Sequence, residues 1–129
     1  MDSIPSKFTI EINGKPIANV DDGAEDHTQA KLGQDAAVFS LKDSRLQSGG
    51  WIIGRNWTEN RSFGPKKVSW YKANADNEEQ VQPVTAKKEA DTYHLIFTNG
   101  NLMVNDDEMV LVDLIGDSQS EVKVILQEG

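Results

Sequence analysis

Apolar and polar residues alternate along Phe8-Thr9-Ile10-Glu11-Ile12, and Asn13-Gly14 follows. A period of two puts the apolar side chains on one face of a strand. Asn-Gly accepts the positive φ of a two-residue hairpin turn, so residues 17–20 read as the returning strand. Val38-Phe39-Ser40-Leu41 leads through a polar turn and Gly49-Gly50 to Trp51-Ile52-Ile53-Gly54. Val68-Ser69-Trp70-Tyr71 is a further apolar run. Tyr93-His94-Leu95-Ile96-Phe97 enters the turn Thr98-Asn99-Gly100-Asn101, and Leu102-Met103-Val104 returns from it. Asn105-Asp106-Asp107-Glu108 makes a turn before residues 109–115, and Val122-Lys123-Val124-Ile125-Leu126 is the last run.

About ten short strands with frequent turn signals predict an all-β fold. The pattern leaves a closed barrel, a sandwich and a trefoil open. Three hairpins of similar form, beginning near Phe8, Phe39 and Tyr93, hint at threefold construction. Helix is expected only within residues 28–41, where alanines cluster and Gly33 interrupts them. Residues 21–26 and 74–80 read as exposed loops.

The length of 129 residues suits one domain spanning residues 1–129. No cysteine is present, which excludes disulfides and thiolate metal sites. Met1-Asp2-Ser3-Ile4-Pro5 lacks the charged-then-apolar pattern of a leader, and no run has the length of a membrane span. The expectation is a cytoplasmic protein, or one exported without a classical signal peptide, that does not engage membranes and acts as a monomer.

Formal charge is −8, which argues against nucleic acid as a partner. The charge is unevenly placed. Residues 42–72 carry seven bases against two acids, whereas residues 73–129 carry three lysines against twelve acids. Pairing of basic with acidic strands would explain this; so would a basic recognition element.

The basic stretch contains Gly54-Arg55-Asn56-Trp57-Thr58-Glu59-Asn60-Arg61-Ser62-Phe63-Gly64-Pro65-Lys66-Lys67-Val68, long for a connection between strands. A rigid sheet that holds both ends of such a loop makes it a candidate recognition element. The segments Gly54-Arg55-Asn56, Glu59-Asn60-Arg61-Ser62 and Pro65-Lys66-Lys67-Val68 resemble the signature of the fungal β-trefoil serine protease inhibitors of the mycospin type. The resemblance spans residues 38–126 and is specific in its central part. It implies a β-trefoil of about 10–12 strands and reversible, substrate-like inhibition of a trypsin-like serine protease, without enzymatic activity. By that resemblance Arg61 takes the reactive position, with Asn60 and Ser62 flanking it. Trypsin-like enzymes seat Arg or Lys against a buried carboxylate before the scissile bond. Arg55, Asn56 and Pro65 are then loop supports, and Lys31 and Arg45 are alternative cations on other loops.

Two rival functions remain. Trp57 lies in the loop, where an exposed indole can stack on a sugar or fill a partner's pocket. That favours a carbohydrate-binding, lectin-like trefoil with a glycan as partner. A small-ligand-binding β-barrel would instead need an apolar interior pocket. Asn56-Trp57-Thr58 and Asn60-Arg61-Ser62 are also glycosylation sequons. His27 stands among Asp21, Asp22, Glu25 and Asp26, but the spacing fits no calcium loop, so a solvated acidic loop is expected. His94 is expected on a strand surface. No triad or phosphate loop is legible, and no metal or cofactor is called for.

Overall fold

The computed structural model describes residues 1–20, 23–59, 64–90, 92–98, 100–116 and 120–127. In chain order the strands are β1 (Phe8–Ile12), β2 (Lys15–Pro16), β3 (Thr28–Gln29), β4 (Ser40–Lys42), β5 (Arg45–Ser48), β6 (Trp51–Gly54), β7 (Lys66–Lys67) and β8 (Ser69–Lys72). A short helix, α1 (Ala75–Gln80), follows. The chain ends with β9 (Thr85–Glu89), β10 (Thr92–Ile96), β11 (Asn101–Val104), β12 (Val110–Asp113) and β13 (Val122–Leu126). The protein is all-β in class, and every strand pair among the described residues is antiparallel.

Alternation does its work on β1. Phe8, Ile10 and Ile12 are fully buried, while Thr9 and Glu11 are half-exposed. Asn13 (φ 55°) and Gly14 (φ 85°) form the mirror-image turn that Asn-Gly predicts, and Ile12 pairs with Lys15 across it. The other edge of β1 pairs with β13, from Phe8 opposite Leu126 to Ile12 opposite Val122. The sheets are β13-β1-β2, β10-β9, β11-β12-β7 and β3-β8-β6-β5-β4. Their apolar faces meet in one core, where Phe39 stacks on Trp70 with ring centroids 5.7 Å apart and lies 6.2 Å from Phe8.

Three segments distant in sequence meet in a closed ring of backbone hydrogen bonds. Ala30 N–H donates to Val68 O (2.8 Å), Val68 N–H to Val110 O (3.2 Å), and Val110 N–H to Ala30 O (2.8 Å). All three residues are fully buried. The flanking pairs obey one rule: Gln29 lies opposite Ser69, Lys67 opposite Leu111, and Met109 opposite Lys31. The residue before each ring position always pairs with the residue after the next.

Four local expectations need correction. Residues 28–41 contain no helix; they carry β3, bridges from Leu32 to Ile17 and from Ala36 to Ala18, and the start of β4. Gly33 is there because a Cβ would stand 2.8 Å from the Ala18 Cβ. Residues 74–80, expected as loop, contain α1, whose N-cap Asn74 accepts the Asn77 N–H through Oδ1 at 2.9 Å. Among the described residues no ladder joins β10 to β11, the two arms of the hairpin expected through residues 98–101. Phe97 N–H closes its turn on Gly100 O, but β10 pairs with β9 and β11 with β12. The stretch after Leu41, expected as a polar turn leading to the glycine pair, carries a further strand, β5, with Asp43 (φ 53°) and Ser44 (φ 64°) turning β4 into it.

Candidate functional site: the base of the 55–67 loop and its groove

Strand β6 delivers the start of the loop into the protein. Its last residue, Gly54, pairs with Ser69 on β8. A Cβ on Gly54 would stand 2.8 Å from Val81 Cγ1, so glycine lets residues 81–82 pass close by. Arg55 is consequently buried, at 5% exposure. Its Nε and Nη2 grip Glu59 side-on, at 3.1 Å to Oε2 and 2.7 Å to Oε1. Its Nη1 donates to Phe97 O (2.7 Å) and Thr98 O (2.9 Å), beyond the end of β10. One guanidinium thus closes the loop upon itself and fastens it to a second segment. Planar, bidentate pairing is what arginine does and lysine cannot.

Gln82 adds a second brace. Its Nε2 donates to Asn56 O (2.9 Å) and to Glu59 Oε1 (3.2 Å), and its N–H donates to Arg55 O (2.7 Å). Trp57 N–H donates to Gln80 O (2.8 Å), and Asn56 Oδ1 accepts the Thr58 N–H (2.7 Å). Both carboxylate oxygens of Glu59 are occupied, so its charge is matched although its side chain is only 16% exposed. A buried ion pair contributes little net stability, because desolvation offsets attraction, but it fixes geometry.

Behind the loop lies an open polar groove of about 400 Å³, bordered by Asn56, Thr58, Lys66, Lys67, Ser69 and Tyr71, with His27 and Pro65 also at its edge. Burial pushes the Tyr71 phenol above its ordinary 10.0; hydrogen bonds to Asn56 and Ser69 oppose the shift, and the charges of Glu59 and Asp26 add to it. At one end, the Asn77 amide Nδ2 donates to both Asp26 oxygens (3.1 and 2.9 Å) and to Lys72 O (2.8 Å). Burial works to raise the Asp26 carboxyl, but the bonds from Asn77 and Lys72 N–H, with His27 nearby, hold it below 3.8. Because Asn77 spends Nδ2 on acceptors, its Oδ1 faces His27 Nε2 at 3.3 Å, which places the neutral imidazole's proton on Nε2. The acidic loop is therefore partly structural: Asp26 orients the turn from β8 into α1.

Asn60, Arg61 and Ser62 lie outside the described residues, as do Asp21 and Asp22. The described loop supports converge differently. Arg55 and Asn56 sit at the braced base, and Pro65 is exposed at the rim. Trp57 holds its backbone against Gln80 while its side chain leaves the residue 58% exposed. Lys66 is buried and partnered, and Lys67 is exposed. Lys31 is exposed, and Arg45 pairs with Glu78 of α1 at 3.2 Å. His94 meets Asn101 Oδ1 at 2.6 Å on the surface of β10. Among the described residues no group of three or more His, Asp or Glu stands ready to hold a metal. Sequence reasoning missed Gln82, Asn77 and the carbonyls of Phe97 and Thr98. Only Asn77 had a signal, three residues after the capping Asn74.

No family model, characterised protein or solved structure matches this chain.

Proposed function

We propose that the chain is a β-trefoil that inhibits a trypsin-like serine protease in substrate-like fashion, with Arg61 filling the specificity pocket between Asn60 and Ser62. The trefoil part rests on the ring at Ala30, Val68 and Val110, whose members recur about 40 residues apart, as threefold repetition requires. The pairing of β1 with β13 supports it further by joining the first strand to the last.

The inhibitory part rests on one observation: Arg55, Glu59 and Gln82 brace the loop immediately before Arg61. On the far side, Lys66 and Lys67 re-enter a sheet opposite Val112 and Leu111. A segment anchored at both ends loses less entropy on docking, and a cleaved bond whose ends stay in place can re-form. Lys67 adds an exposed cation that speeds encounter with an acidic enzyme rim, an effect that salt weakens. Titration of trypsin with the wild type should show tight, slowly released inhibition, and Arg61→Ala should weaken it by ~100-fold or more, as for a hot-spot anchor. A wild type that never inhibits, or an Arg61→Ala that inhibits equally, ends this reading.

Trp57 favours a second reading. Its fixed backbone and 58% exposure suit stacking on a sugar face. A glycan array on which the wild type binds and Trp57→Ala does not would decide for a carbohydrate partner.

A further inference from the structure

A second cleft, of about 290 Å³, lies between the segment that follows β2, the residues in and around β3, and Trp70 of β8. We propose that it binds a small carboxylate carrying an apolar body, either a single ring or a short branched chain. No residue of the 55–67 loop takes part, so the site stands apart from the protease reading.

The deciding group is the Trp70 indole. Trp70 is 2% exposed, and its ring is fixed by stacking on Phe39 at 9° from parallel. An indole this covered ordinarily finds an acceptor for its N–H. Among the described residues nothing accepts from the Trp70 Nε1. Yet no fully covered side-chain nitrogen or oxygen among the described residues lacks a partner. The sliver of Trp70 that solvent reaches therefore includes its N–H, and the cleft is the surface that Trp70 borders. A donor held in place by core packing loses little entropy when an acceptor arrives.

The walls select the body of the ligand. Ala18, Val20, Ala24 and Met109 line the cleft with hydrocarbon and a thioether, which adapts to the shape it meets. The volume stands at the lower end of ligand pockets, roughly 300–1,000 Å³, so the body is small.

The leftover donors select the head. Thr28 Oγ1 donates to Glu25 O, Gln29 Nε2 to Val110 O at 3.2 Å, and Asn19 Nδ2 to Ala36 O at 3.4 Å. Among the described residues bordering the cleft, the side-chain donors still without any acceptor are the Trp70 N–H and the Lys31 ammonium. Lys31 is also the one charged residue in that set, and it is exposed. Its backbone bridges to Met109, so the cation and the thioether leave the sheet on one side. Glu108, the residue before Met109, is already paired with Lys15 at 2.8 Å. One neutral donor and one cation beside an apolar wall suit two acceptor oxygens that share a negative charge.

The test is a titration of isotope-labelled protein, followed through the Trp70 indole N–H and the backbone amides. The probes are sodium phenylacetate, sodium isovalerate, the amides of both acids, and sodium acetate, at constant pH and ionic strength. At least one of the two larger acids should shift the Trp70 indole resonance saturably, together with amides of residues 18–20, 28–31 and 109. The tighter acid assigns the body as ring or branched chain. Its neutral amide, which lacks the charge, and acetate, which lacks the body, should each bind about tenfold more weakly or worse. Lys31→Gln changes an exposed side chain and should weaken the tighter acid roughly tenfold, as a lost charge-assisted bond does, while leaving its amide unaffected. Lys67→Gln removes an exposed charge outside the cleft and should alter neither. Failure of both larger acids to saturate, an unmoved Trp70 indole resonance, an amide or acetate that binds as well as the tighter acid, or equal effects of Lys31→Gln and Lys67→Gln would overturn the proposal.

Discussion

The ring at Ala30, Val68 and Val110 and the brace at Arg55, Glu59 and Gln82 both fasten together segments far apart in sequence, but by opposite means. The ring uses only main-chain N–H and C=O, so its side chains need only be small and apolar. The brace uses a guanidinium, a carboxylate and a carboxamide, each in a stated orientation. A main-chain fastening is blind to most substitutions and sensitive to loss of its donor. A side-chain fastening is the reverse: it yields to one atom's change and can be rebuilt by a compensating one.

That contrast can be broken at four points. Val110→Pro should be the most damaging, costing about 4 kcal/mol, since it deletes a ring donor, orphans the buried Ala30 carbonyl and places proline in an interior strand. Val110→Ala, which keeps the donor, should cost about 2 kcal/mol in the same urea titration. Equal losses would show that packing rather than the main-chain ring holds this centre. Arg55→Met comes next, at about 3 kcal/mol, because Glu59 is left charged and unpaired in a covered site. Adding Glu59→Met should restore most of that loss, and a double-mutant cycle without coupling would refute the account. Gln82→Leu should cost about 1 kcal/mol, as it removes hydrogen bonds to Asn56 O and Glu59 and leaves the ion pair in place.

The smallest effect belongs to Asp26, which is partly solvated. Its carboxyl is held below 3.8 in the folded state, so its contribution is present above that pH and is lost as pH falls through the folded value. Melting temperatures from pH 5 to pH 2 should therefore fall less steeply in Asp26→Asn than in wild type. Parallel acid limbs would mean that the Asn77 and Lys72 contacts carry no charge-dependent stability.

The same contrast explains what could be read from the chain. Where structure follows from main-chain periodicity, the reading succeeds. Strand β1 and its Asn13-Gly14 turn are legible because alternation and positive φ are local properties. Strand β9 is not, because Thr85-Ala86-Lys87-Lys88-Glu89 buries only Ala86 and offers no apolar stripe. Alanines at Ala30, Ala36 and Ala37 suggest helix propensity, yet they are small because backbones approach closely there, and tertiary contact overrides propensity. At the loop, the Arg55-to-Glu59 spacing is visible in sequence but carries no meaning outside a helix. Gln82 and the carbonyls of Phe97 and Thr98 come from segments whose proximity only the fold creates.

The closed ring also bears on how the chain collapses. With residues 30 and 68 joined and 110 absent, the Val68 N–H and the Ala30 carbonyl both lack the partners that the complete ring gives them, so two of its three bonds form only when the third segment arrives. Half-built forms are thereby disfavoured, and unfolding should proceed as one concerted event in which every spectroscopic probe reports the same midpoint.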